Sequence, residues 1–170
     1  VNWNRGWSMP KLFVYGTLRR HERYHHLLEG AETLATQCWT PGRLYDTGDG
    51  YPAMIPSKEG YVYGELYAVT KKQLGEIDRL EGYRMGADNN EYERVCLTVF
   101  TDEGEELAYT YIYPPSNLNT NKHKAISSGD WKCYRLLRQS RLLYFAYGSC
   151  MDTERFKQAK VDSLFRSIAG

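Results

Sequence analysis

Tyr61-Val62-Tyr63-Gly64-Glu65-Leu66-Tyr67-Ala68-Val69 alternates along its length, with Tyr61, Tyr63, Glu65 and Tyr67 on one side and Val62, Gly64, Leu66 and Ala68 on the other. A period of two belongs to a strand, whose successive side chains point to opposite faces. The period then changes. Thr70 can cap a helix that runs from Lys71 to about Glu81, and Gly82 stops it because glycine tolerates the left-handed backbone usual just past a helix end. Gly64 inside the strand predicts a bulge or a close approach of another backbone.

The flanks of this strand-to-helix switch read as β structure. Upstream, Leu12, Phe13 and Val14 leave the strand Lys11 to Tyr15 no polar face, so it must be buried. Tyr24 to Glu29 reads as a short helix ended by Gly30. Leu34 to Ile55, punctuated by Pro41, Gly42, Gly48, Gly50 and Pro52, reads as short strands joined by turns. Downstream, Glu91 to Thr101 and Glu105 to Tyr113 alternate around Asp102-Glu103-Gly104, the pattern of a hairpin. Pro114-Pro115 ends it, and Ser116 to Lys122 is a polar surface loop. A helix inserted between β segments makes the class α+β: a small, mostly antiparallel barrel-like sheet with flanking helices.

The chain has 170 residues, 42% hydrophobic and 25% charged, with a net charge of +1, so its balance points to neither nucleic acid nor a membrane surface. The basic series Lys132, Arg135, Arg138 and Arg141 has helical spacing and reads as a solvated face. Cys38, Cys96, Cys133 and Cys150 are scattered without a Cys-x-x-Cys pair, and no signal-peptide pattern precedes them, which suits reduced thiols in the cytoplasm. No apolar run is long enough to span a bilayer. Val1 to Ser8 lacks periodicity and is set aside as a leader.

One phrase occurs twice, as Leu12-Phe13-Val14-Tyr15-Gly16-Thr17-Leu18 and as Leu143-Tyr144-Phe145-Ala146-Tyr147-Gly148-Ser149. About 130 residues separate the copies, enough for a domain, while the 22 residues after Gly148 are too few to bury a core. The expected organisation is therefore a complete domain over 9–140 and the truncated beginning of a similar one over 143–170.

Glu81 stands out on physical grounds. Leu74, Ile77 and Glu81 share one helical stripe, so the carboxylate continues an apolar face and lies at the negative end of the helix dipole. Desolvation and the dipole both raise its pKa, which suits a proton-transfer group near neutral pH. The alternative is a frayed last turn that releases Glu81 to solvent. Its counterpart is the turn at Tyr15, Gly16, Thr17 and Leu18, which follows a buried strand and whose N–H groups can hold a carboxylate or an oxyanion.

The segments Phe13-Val14-Tyr15-Gly16-Thr17-Leu18 and Asp78-Arg79-Leu80-Glu81-Gly82-Tyr83 resemble the γ-glutamylcyclotransferase-like family, including its γ-glutamylamine and plant avirulence-induced branches. A looser likeness covers Gly60 to Val69 and Ser128-Gly129-Asp130-Trp131, so the resemblance spans roughly residues 11 to 140. It implies that family's small β-barrel fold and a cyclotransferase that converts a γ-glutamyl group into 5-oxoproline and releases an amine or amino acid. It further implies Glu81 as general base and then acid, and Tyr15, Gly16, Thr17 and Leu18 as the substrate-binding loop. Such a reaction needs no cofactor and no metal, and its partner is a small γ-glutamyl substrate. The second phrase, with Met151 and Thr153-Glu154-Arg155-Phe156, resembles the opening of the glutathione-related branch, except that Cys150 stands where asparagine is frequent.

Other readings stay beside this one. His21, His25 and His26 include an i, i+4 pair, but no ligand cluster completes a metal site, and they read as a polar loop. The Gly16 turn lacks the Gly-Lys-Ser/Thr ending of a phosphate cradle. The tyrosine-rich strands read as core and barrel lining, without the positive charge a nucleic-acid platform needs. The rival from another class is a non-catalytic module that binds a γ-glutamyl or amino-acid ligand on the same fold.

Overall fold

The computed structural model describes residues 9–140 and Glu154. The leader at 1–8, Arg141 and the repeated phrase at 143–149 lie outside the described residues. The chain divides after Leu137 into two units, and of the second only 138–140 and Glu154 are described.

Ten regular elements build the first unit. In chain order they are strands β1 (Lys11–Val14), β2 (Glu32–Pro41), β3 (Arg43–Asp46), β4 (Pro52–Ile55) and β5 (Tyr61–Ala68), helix α1 (Lys71–Leu80), strands β6 (Glu93–Thr101), β7 (Gly104–Ile112) and β8 (Lys124–Ile126), and helix α2 (Trp131–Leu137). A single 3₁₀ turn, His25–Leu28, fills the place expected for a short helix, and Gly30 follows it at φ +76°.

Five strands close into a barrel in the order β1-β5-β2-β6-β7. Every contact in it is antiparallel except the closing one, where Leu12 of β1 meets Tyr109 of β7 in parallel. Closure leaves the barrel no free edge. A second, antiparallel sheet of three strands, β4-β3-β8, stands beside it, joined where the Tyr113 N–H donates to the Met54 carbonyl over 2.8 Å. The expected α+β class and barrel are present.

One local expectation needs correction. Residues from Leu34 onward do not form only short strands: they belong to the ten-residue β2, whose solvent-facing first half carries no apolar alternation to read. Its irregular register against β5 breaks between Thr33 and Ala35 and again between Ala35 and Cys38. Both faces of β5 become buried beyond its start, Glu65 and Tyr67 on one and Leu66 and Ala68 on the other. The basic series is a solvated face as expected where it is described: Arg135 and Arg138 are exposed and Lys132 partly so, with Lys132 donating to the Arg20 carbonyl over 3.0 Å and Arg135 pairing with Glu22 at the surface.

Gly64 marks a close approach of two backbones. A Cβ there would lie 2.7 Å from the Phe13 ring and would collide with the Val14 carbonyl oxygen, so β5 can press on β1 only through glycine. Two apolar clusters result. Phe13, Leu44, Met54 and Val62 anchor one, and Leu12, Val14, Leu74 and Ile77 join β1 to α1 in the other.

Candidate active site

β1 stops at Val14 and delivers a loop. Tyr15 is buried and its hydroxyl donates to the Tyr111 carbonyl over 2.7 Å, which pins the loop's start to β7. The Arg19 N–H donates to the Gly16 carbonyl over 3.0 Å and the Tyr24 N–H to the Thr17 carbonyl over 2.9 Å. The loop's carbonyls are therefore turned back into the protein. Among the described residues no acceptor meets the N–H groups of Gly16, Thr17 or Leu18. Gly16 is required by space, since a Cβ would sit 2.7 and 2.9 Å from the Pro52 ring.

The loop is braced from behind by charges. The buried Glu65 carboxylate of β5 accepts from Arg19 Nε at 3.3 Å, from the Arg20 N–H at 2.8 Å and from the Tyr67 hydroxyl at 2.8 Å. Arg19, also buried, reaches Asp130 with its second arm at 3.0 Å. Such a cluster keeps buried charges paired and hydrogen-bonded, as burial demands. His25 lies 3.0 Å from the Leu18 carbonyl, a loop contact and not a metal arrangement, and no group of three potential metal ligands occurs among the described residues.

The second contributor is α1. Thr70 and Gln73 form a reciprocal capping box at its start, worth on the order of 1 kcal/mol. At its other end the backbone remains fastened: the Glu81 N–H donates to the Ile77 carbonyl over 2.9 Å and the Tyr83 N–H to the Asp78 carbonyl over 2.8 Å, around Gly82 at φ +64°. Side chains clamp the same turn. Asp78 accepts from the Tyr111 hydroxyl at 2.7 Å and pairs with Arg94 at 2.6 Å, and Arg94 lies over the rings of Tyr83 and Tyr109. The helix end is not frayed.

A cavity of about 160 Å³ joins these parts. Tyr15, Gly16, Thr17, Leu18 and Glu81 all line it, so the two segments singled out in the sequence border one pocket. Glu81 keeps some open surface toward the cavity while protein surrounds its carboxyl group closely. That burial, followed by the charge of Glu91, pushes its pKa up to about 8. Burial, reinforced by the Glu81 charge, also holds the Tyr15 hydroxyl well above its ordinary range.

Sequence reasoning missed the rest of the wall. Glu91, just before β6, accepts the Tyr51 hydroxyl at 2.9 Å, and Tyr92 donates to the Pro52 carbonyl at 2.9 Å. Tyr51 stands against Tyr92 edge-on, with ring centres 6.3 Å apart. All three border the cavity. Their spacing along the chain carries no sign of this, because only the packing of the β4-β3-β8 sheet beside the barrel brings the 51–52 turn next to the approach to β6.

Among the described residues no helix is long and apolar enough to cross a membrane. Cys38 is buried and its thiol is pushed up to about 12, chiefly by desolvation, whereas Cys96 and Cys133 are exposed and unbridged.

Residues 12–133 match the family model described as γ-glutamyl cyclotransferase, AIG2-like. The chain is 37% identical over 162 residues to the Bacillus subtilis protein YkqA, covering 94% of this chain and 55% of YkqA. It therefore spans about half the length of that relative. It is 38% identical over 133 residues to the γ-L-glutamyl-butirosin B γ-glutamyl cyclotransferase of Niallia circulans, covering 78% of this chain and 81% of that protein. The crystal structure of YkqA superposes with a TM-score of 0.71 at 36% identity over 94% of this chain and 54% of that one. The mouse AIG2-like protein shares the fold, with a TM-score of 0.55 at 23% identity over 84% of this chain and 99% of that one.

Proposed function

The chain belongs to the AIG2-like γ-glutamyl cyclotransferase family, and from that premise we propose that it cyclises a γ-glutamyl amide to 5-oxoproline and a free amine, with Glu81 carrying the proton. The observation that supports this most is the joint one: a carboxyl group raised to about 8 and a loop with unbonded N–H groups, both lining one cavity.

The α-carboxylate of the substrate is held by the N–H groups of Gly16, Thr17 and Leu18. Glu81, as carboxylate, takes a proton from the α-ammonium. The freed α-nitrogen attacks the γ-carbonyl carbon of its own molecule, closing a five-membered ring. The bond from that carbon to the amide nitrogen breaks, and Glu81 returns its proton to the departing amine. Atoms balance without water, since the amide becomes 5-oxoproline plus an amine. The nucleophile is part of the substrate, so orientation of a single molecule supplies much of the acceleration. A carboxyl titrating near 8 lies close enough to an amine in basicity to exchange a proton in both directions.

The rival is a module that binds the same ligand without turnover. Glu81 favours catalysis, because a pocket built only to hold an ammonium gains most from a permanently charged carboxylate. The discriminating experiment is release of 5-oxoproline from γ-glutamyl amides, γ-glutamyl amino acids and glutathione by wild type and by Glu81→Gln. The expected result is turnover of at least one of these classes, reduced about 10²- to 10⁴-fold in the variant, with ligand binding retained. A Glu81→Gln protein that keeps most of its kcat refutes the assignment.

A further inference from the structure

The charges around the cavity are unequal. Two carboxylates, Glu81 and Glu91, border it, and among its described lining residues there is no lysine, arginine or histidine. In the cyclotransferase reading, Glu81 answers the α-ammonium and the loop N–H groups answer the α-carboxylate. The γ-glutamyl group is thereby matched, and Glu91 is left over.

Glu91 is also oriented. The Tyr51 hydroxyl holds its Oε1 at 2.9 Å, and its Oε2 lies near the helix end, 3.7 Å from where a Cβ on Gly82 would stand. Among the described residues no basic side chain pairs with it. Of the residues that line the cavity, Glu91 is exposed whereas Tyr15 is buried, so Glu91 stands where the cavity meets solvent. In the cyclotransferase reading the amide substituent is the part that must leave, and the exposed wall at Glu91 offers it a way to solvent.

We infer that Glu91 selects the leaving group, and that the substrates are γ-glutamyl amides of amines bearing a second, positively charged group, in preference to amides of amino acids or peptides with a free carboxylate. This rests on the cyclotransferase reading. The physical basis is a fixed carboxylate at the cavity mouth, which attracts a cation and repels a second anion in a site with no compensating positive side chain.

Three γ-glutamyl amides of nearly equal size separate the effects: those of 1,4-diaminobutane, n-pentylamine and 5-aminopentanoate, ending in an ammonium, a methyl and a carboxylate. In wild type, kcat/KM is expected to fall in that order, by about three- to tenfold per step at low salt, with the steps shrinking as ionic strength rises. Glu91→Gln should bring the ammonium-to-methyl ratio toward one, and Glu91→Lys should invert it. A residue that merely tuned Glu81 would change all three rates together and leave the ratios unmoved. Equal kcat/KM for the three amides in wild type, or ratios unchanged in Glu91→Gln, overturns the inference while leaving the cyclotransferase reading in place. Absence of turnover for all three by a folded protein, together with inactivity on γ-glutamyl amino acids and glutathione, overturns both; turnover confined to γ-glutamyl amino acids or glutathione overturns the inference alone.

Discussion

Replacing Glu81 by glutamine should stabilise the protein at alkaline pH while removing its activity. Folding raises this carboxyl from an ordinary 4.5 to about 8, so the folded state favours the protonated form. The stability associated with that form is fully present below pH 4.5. It is lost between 4.5 and 8, where the unfolded chain has released the proton and the folded chain has not, and above 8 the loss is complete. A shift of this size corresponds to a ceiling of about 5 kcal/mol at 1.36 kcal/mol per pH unit. Because Glu81 retains some surface toward the cavity, solvent screening reduces the expected effect to about 2 kcal/mol. Glutamine has the same shape and no charge. Urea denaturation of both proteins should therefore give similar stabilities at pH 5 and a variant more stable by about 2 kcal/mol at pH 9. Other titrating groups are shared by the two proteins and largely cancel in the difference. A stability difference that is the same at both pH values refutes the claim that folding desolvates this carboxyl.

Two further outcomes are expected. Gly16→Val places a branched side chain against the Pro52 ring, where even a Cβ would stand 2.7 Å away, and should raise KM for a γ-glutamyl amide by about tenfold or more; an unchanged KM puts the ligand elsewhere. Cutting the chain after Gln139 should preserve 5-oxoproline release, since the barrel, the loop and α1 all precede that point; a truncated protein that stays folded but loses activity assigns a role in the site to residues beyond 139.

How much of this was legible in the sequence depends on whether the relevant contact is local. The change from period two to period 3.6 at Thr70 is a local event, and it correctly foretells β5 and α1. Glu81 was legible for the same reason: its position on the stripe of Leu74 and Ile77 follows from helix geometry alone. The partners of Glu65 were not legible: alternation places it on the tyrosine face, and nothing nearby reveals that Arg19, Arg20 and Lys132 fold over that face. Glu91 and Tyr51 were invisible as partners because 40 residues separate them and they meet only where the second sheet packs beside the barrel.

Glu65 and Asp78 share one physical role. Glu65 neutralises the Arg19 that follows the loop, and Asp78 fastens the turn that ends in Glu81 through Tyr111 and Arg94. Each part of the proposed site is thus the end of a regular element, where backbone groups lack partners, and each is stiffened by a charged group that does not line the cavity. This arrangement lets the loop keep unbonded N–H groups and the helix keep a poorly solvated carboxyl without either end relaxing toward water. Holding Glu81 there costs folding stability, so the pH dependence of folding and the basicity proposed to serve proton transfer have the same origin.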